Sequence, residues 1–370
     1  MHRALVVLLA LSVAGCAARR PVTAAAPRPM QVVVGEDVRI RAGGDPLTGL
    51  DGYDSRDLFE QGLAAFERAE FGIARVLYAR LVAEFPDDPS VPRAHWNYAL
   101  AAEQQGSPLD GVPHLLTYIA AIEADEPKEA AEGRLHLAKV LQRAGDFEGS
   151  LVHLEQLLRR ADLETTLGWE VRAHTARGWT EVGRYKEAEW GLEGVRGDIR
   201  RRSRREGVRY PYHAAMVWYF AGELYRVQGE RRQIGSTDDV EVVREVLNGK
   251  ADDLLEARHH YKRALQVGRA EWSGPSAKAI GGMMEHFRLA LLTAPEPTDL
   301  APDARQVYRE LVEQRTRQFL EKAAEDYAWV LRDAERLLIP QPWVEAIRVS
   351  LEHCRAALEQ APKVVAAESP

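Results

Sequence analysis

LFEQGLAAFERAEFGIARVLYARLVAEFP occupies Leu58–Pro86. Apolar residues recur in it at helical spacing on either side of a short polar break. Four positions stand out: Gly62, Ala74, Tyr78 and Pro86. A small residue, then A-x-x-x-aromatic, then proline is the pattern of two antiparallel helices. Their backbones approach at the small positions, and the ring fills the gap against the next unit. Proline ends the second helix because it cannot donate the interior hydrogen bond.

The pattern recurs. Ala138, Gly145, Phe147, Ser150 and Leu154 repeat it in LHLAKVLQRAGDFEGSLVHLEQLL, and Ala176, Gly183, Tyr185, Ala188 and Leu192 in AHTARGWTEVGRYKEAEWGLEGV. A weaker copy lies around Ala99, Gly106, Gly111 and Leu115. The small positions Gly62, Ala99, Ala138 and Ala176 are 37 to 39 residues apart. A glycine before the aromatic closes the turn, where a left-handed backbone costs glycine little. A fifth unit is interrupted. Gly222, Tyr225 and Gly229 mark its first helix, and Ala257, Tyr261 and Ala264 its partner. The material between, 230–250, is expected as an insertion, with TDDVEVVREVLNG a short helix ended by Asn248-Gly249. Insertions of this kind map to loops on one face, often the binding face.

Such a period predicts an all-α solenoid of helical hairpins over 54–295, right-handed by its resemblance to tetratricopeptide repeats. After Pro295-Glu296-Pro297 the pattern changes. Asp303–Leu338 runs without glycine or proline, with a helical stripe through Val307, Leu311, Phe319, Ala323, Tyr327, Val330, Ala334 and Leu337. A last helix starts near Pro342, with Val344, Ile347, Leu351, Cys354 and Leu358 on its inner face. The stripe is too irregular for a strict heptad, so the helices of 296–362 are expected to cap the solenoid rather than form a coiled coil. Residues 363–370 are a tail.

The N-terminus reads differently. A positive Met1-His2-Arg3 precedes an apolar run, Ala4–Ala14, too short to span a bilayer. It matches the core of a secretory signal peptide over 1–15. Val13-Ala14-Gly15-Cys16 resembles the lipobox of bacterial lipoproteins, which implies cleavage before Cys16 and acylation there. Ala17 is not the aspartate that retains enterobacterial lipoproteins at the inner membrane, so the resemblance implies the periplasmic face of the outer membrane. Residues 16–53 form a proline- and alanine-rich tether reaching on the order of 30 Å. Within it QVVVGEDVRIRAGG alternates enough to supply one strand.

Lys and Arg number 49 against 56 Asp and Glu. Removing Arg3 with the signal leaves 48 − 56 = −8, which argues against nucleic acid as a partner. With Cys16 acylated, Cys354 has no disulfide partner, so the fold must hold by packing. No H-E-x-x-H, G-x-S-x-G or phosphate loop is present. His259 and His260 point about 100° apart on a helix, which suits no shared metal. Cys354 falls on an apolar stripe, where a free cysteine behaves as a small hydrophobe. No cofactor, metal site or catalytic residue is expected, and the chain reads as a non-enzyme. The exception to its acidic balance is VRGDIRRRSRREGVRYPY, between the fourth and fifth repeats. Arg200, Arg201, Arg202, Arg204 and Arg205 there form a candidate patch for an anionic glycan, lipid or acidic protein face.

Over roughly 54–269 the chain resembles the tetratricopeptide repeat family. Together with the lipobox it is similar in organisation to outer-membrane lipoproteins of bacterial envelope machines, such as the barrel-assembly lipoprotein and relatives in motility and secretion. The resemblance implies that other envelope proteins bind in a concave groove lined by the first helices. By position the groove residues are Arg93, Trp96, Glu103, Lys139, Gln142, Arg177, Tyr219 and Arg226. The implied function is a non-enzymatic scaffold of an envelope complex. The alternative is a peptidoglycan-associated accessory protein, or a glycan- or peptide-binding module.

Overall fold

The computed structural model describes residues 22–23, 53–232, 240–294, 296 and 302–360. The expected signal peptide, Cys16, the QVVV stretch and the expected tail at 363–370 lie outside the described residues.

Thirteen α-helices occupy the described residues: α1 Ser55–Glu67, α2 Phe71–Glu84, α3 Val91–Gln104, α4 Val112–Ile122, α5 Pro127–Arg143, α6 Phe147–Leu158, α7 Thr165–Glu181, α8 Tyr185–Glu206, α9 Pro211–Arg231, α10 Val240–Val267, α11 Ala270–Leu292, α12 Pro302–Arg332 and α13 Gln341–Gln360. Consecutive pairs, α1 with α2 through α11 with α12, pack as hairpins, and each hairpin stacks on the next. The protein is an all-α helical-repeat solenoid closed by α13, which lies against α11 and α12. Two short strands, β1 Val22–Thr23 and β2 Val208–Arg209, pair in parallel.

The repeat is most regular in its backbone. The first helices α1, α3, α5 and α7 all end with the same bond from the residue after the turn back to the residue five earlier: Glu70 N–H to Ala65 O, Ser107 to Ala102, Asp146 to Leu141 and Arg184 to Trp179, at 2.8–2.9 Å. This is a Schellman cap, which needs a left-handed residue just past the helix. Gly106, Gly145 and Gly183 supply it at φ 83–87°, and in the first repeat Ala69 takes it at φ 60°.

The second signature is the ring contact. A Cβ built on Gly62 would lie 2.8 Å from the Tyr78 ring, and one on Gly222 would lie 2.6 Å from Tyr261. Gly281 stands closer still to Tyr327. Each pair joins the first helix of a hairpin to its second, so α11 and α12 form a sixth hairpin of the same type. The boundary expected at 295/296 falls between its two helices. The core accordingly comes as successive clusters along the chain rather than as one centre: α1–α3, α3–α5, α5–α7, α7–α9 and α10–α13.

The structure refines three readings. The helix read inside 230–250 is not separate: α10 runs unbroken from Val240 through Asn248-Gly249 to Val267. Lys250 holds its N-terminal half down by donating from Nζ to the carbonyls of Gly229 at 2.7 Å and Glu230 at 3.2 Å. The arginine run, placed between the fourth and fifth repeats, forms the last turns of α8, which Gly207 caps at φ 67°. The stripe of 303–338 is not one helix; α12 ends at Arg332, and Val307 and Leu311 are exposed while Ala323, Tyr327, Val330 and Leu337 are buried.

Gly222→Ala should therefore lower unfolding stability by about 1–3 kcal/mol in urea titration, the usual cost of overpacking. Gly194→Ala, in the interior of α8 with nothing within 4 Å of its Cβ, should raise it by about 0.5–1 kcal/mol.

Candidate interaction surfaces

The first helices carry a ladder of polar links from repeat to repeat. Glu103 on α3 meets His136 on α5 and Arg143 at 2.5 Å. Lys139 on α5 pairs with Glu170 on α7 at 2.5 Å, and Glu170 lies 3.6 Å from His213 on α9. Gln142 donates to the carbonyl of His174 and accepts from its ring, both at 2.8 Å, which places the neutral ring's proton on Nδ1. Arg177 on α7 lies 3.4 Å from Glu223 on α9, and Arg231 reaches back to Glu181 at 2.9 Å. Glu223 is the hub: it takes Arg226 at 2.8 Å and the Tyr261 hydroxyl of α10.

This arrangement assigns most of the expected groove residues to structure. Trp96 is 4% exposed and packs against Tyr118 and His136. It is a core residue, not a contact anchor, because the α3–α4–α5 interface needs a large ring there. Glu103, Lys139, Gln142, Arg177 and Arg226 are half-buried links of the ladder. Tyr219 is wedged between Tyr261 and Trp272, with ring centroids at 5.9 and 5.5 Å. Arg93 alone of the eight is exposed. Trp190, 78% exposed on α8, is an aromatic surface residue that the repeat pattern did not single out.

Burial sets the protonation of the ladder. It would raise the Glu170 carboxyl, but His213 and Lys139 outweigh it and hold the group down at about 2. The same contest, against Arg226 and Arg177, leaves Glu223 below the usual carboxylate range. Burial, reinforced by the charge of Lys139, lowers His174 to about 3. Burial likewise lowers His114, beside His95 and Arg75, to about 4, and His260, beside His259 and Arg196, to about 4. His260 is stacked between Trp218 and Tyr225, and His259 is exposed. Cys354 is buried, and burial pushes its thiol up to about 11.

The arginines at the end of α8 line a cavity of about 590 Å³ with residues from two other elements. Arg201, Arg202 and Arg205 face it from α8, Arg172 from α7, and Arg160 from the loop before α7. Asp198 bonds both Arg172 and Arg201, Glu206 bonds Arg202 at 2.9 Å and Arg205 at 3.2 Å, and Asp162 bonds Arg160. Arg200 lines a different cavity, beside Glu193, Trp218 and His260, and Arg204 is exposed. The five arginines of the run therefore do not all face one cavity. Arg160 and Arg172 join three of them only through the fold, a convergence no contiguous stretch reveals.

No protein-family model matches the sequence, and no curated protein does. Among solved structures, a tetratricopeptide repeat protein from Parabacteroides merdae is similar at 14% identity, with 81% of this chain and 98% of that one covered and a TM-score of 0.39. The human IFIT1 dimer with m7Gppp-AAAA is similar at 14% identity over 83% of this chain and 71% of that one, with a TM-score of 0.36. The helical-hairpin repeat rests on the caps and ring contacts of this chain itself.

Two measurements check the ladder. Glu223→Ala should cost about 3 kcal/mol, since it strands half-buried arginines, whereas Arg143→Ala, at the exposed end of the ladder, should cost under about 1 kcal/mol. The depressed histidines set a pH dependence. A base whose folded pKa lies below its unfolded value of about 6.5 stabilises the fold fully above that value, and the contribution is lost as pH falls through the folded pKa. The melting temperature should be flat from pH 8 to 7 and fall between pH 6.5 and 4, with a shallower fall in His114→Gln.

Proposed function

We propose that this chain is a non-enzymatic scaffold of a bacterial cell envelope, anchored by a lipid at Cys16 on the periplasmic face of the outer membrane, which binds segments of other envelope proteins along its first helices. The observation that carries this reading is the polar ladder. It fixes α3, α5, α7 and α9 relative to one another, so the surface they present is preorganised, and a partner binding it loses little free energy to ordering the scaffold. The exposed Arg93 and Arg143 supply charge for recognition, Arg143 being tied to the ladder by its pair with Glu103. Support for the envelope location comes from the signal-like run and the lipobox-like Val13–Cys16. No helix among the described residues is long and apolar enough to cross a membrane.

The test is crosslinking in cells followed by mass spectrometry of what is captured. A defined set of envelope proteins, lost in Arg93→Glu/Arg143→Glu while the circular dichroism spectrum is unchanged, is the expected result. Capture of peptidoglycan fragments alone, or of nothing, would sink the scaffold reading. Separately, Cys16→Ser should abolish palmitate labelling and release the protein from the membrane fraction.

A further inference from the structure

We infer that the arginine-lined cavity between the C-terminal end of α8 and the N-terminal end of α7 is a binding site for a phosphate-bearing ligand. The cavity wall carries five arginines against two carboxylates, Glu164 and Asp198. Three acids pair with those arginines: Asp198 serves two of them, Glu206 serves two, and Asp162 holds Arg160 with both oxygens. Each guanidinium has five N–H donors in a fixed fork. Arg172, Arg201 and Arg205 each give a single nitrogen to a carboxylate. Donors are therefore in excess of protein acceptors, and an anion with three or four oxygens is the chemistry that would use them bidentately. Arg201 and Arg205 are 74% and 75% exposed in their side chains, free to swing onto a ligand.

The start of α7 adds to this. Its cap residue, Glu164, makes no side-chain bond to the first-turn N–H groups, and Thr165 instead receives a bond from Arg202 at 2.6 Å. The open N–H groups and the positive end of the helix thus border the same cavity as the arginines. Leu158 and Leu163 bring apolar surface to the wall, while Trp169 and Val171 behind them are buried. A bare inorganic ion would leave that apolar surface unused, whereas an organic phosphate would cover it.

The chain path indicates a source. β1 pairs with β2, so Val22 lies beside Val208, two residues beyond the end of α8. Cys16 precedes Val22 by six residues, a span of at most about 20 Å. A lipid on Cys16 would hold the cavity within reach of a bilayer surface and its phosphate headgroups. This choice of source rests on the anchor proposed above; the phosphate site itself does not.

The experiment uses the full chain carrying Cys16→Ser, so that no acyl group contributes to binding. Inorganic pyrophosphate is titrated by calorimetry, and sedimentation is measured with vesicles of phosphatidylglycerol and phosphatidylcholine at one to three and of phosphatidylcholine alone. Arg201→Gln/Arg205→Gln should weaken binding at least tenfold. Arg336→Gln/Arg348→Gln, exposed arginines beyond α12 and on α13, should leave it unchanged. Binding to the phosphatidylglycerol vesicles but not to pyrophosphate upholds the site and assigns it to a lipid headgroup. Pyrophosphate binding of equal sensitivity to the variants upholds it with a soluble ligand. No binding to either probe, or equal weakening by both double variants with helix content intact, overturns it.

Discussion

Everything in this architecture depends on how closely two helices of a hairpin can approach. At Gly62, Gly222 and Gly281 no side chain separates them, and a tyrosine ring from the second helix takes up the space. The contact does more than fill volume. It delivers a phenolic hydroxyl into a buried site, where burial raises its pKa and a polar partner becomes necessary. Asn97 meets Tyr78 at 3.3 Å, Glu223 meets Tyr261, and Glu285 meets Tyr327 at 2.7 Å. Packing inside a hairpin thereby dictates where polar groups must stand on the first helices, and in the fifth hairpin it sets up the hub that ties α7, α9 and α10 together.

Buried charges are expensive unless paired, and a well-packed apolar contact is often as stable. Their value here is geometric. Apolar layers of alanine and leucine tolerate sliding, whereas Lys139–Glu170, Gln142–His174 and Arg177–Glu223 each match one donor set to one acceptor set. A shift of one turn along any first helix would strand several of these groups together. The ladder therefore fixes the register between hairpins whose apolar surfaces alone would leave it loose. It also explains why the inner face offers few residues to a partner: most of its polar atoms are already engaged.

The sequence carried the local part of this structure and little of the convergent part. Gly145 and Gly183 announce their turns because glycine is the residue a left-handed backbone favours. Ala69 in the equivalent place gives no such sign, although its cap bond is the same. The hairpin of Gly281 and Tyr327 escaped the pattern because 46 residues separate the pair, against 16 for Gly62 and Tyr78. Contact between helices does not depend on that spacing, but recognition of a repeat does. Position within a repeat pointed to the face that Trp96 and Glu103 occupy, yet could not tell an exposed anchor from a buried one, since both want a ring or a charge. The cavity was half legible: the arginines of α8 are contiguous, while Arg160 and Arg172 come to it from other elements.

The succession of small cores has a consequence for how the chain acquires its shape. Each cluster joins helices that are adjacent or nearly so in sequence, so few contacts wait on distant residues, and chains of that kind fold fast. A polypeptide emerging N-terminus first can close α1 on α2, then stack α3 and α4, before α9 exists. The exception is β1, whose partner lies behind four completed hairpins. Among the described residues, that pairing joins the beginning of the chain to its middle once the frame that positions it is already standing.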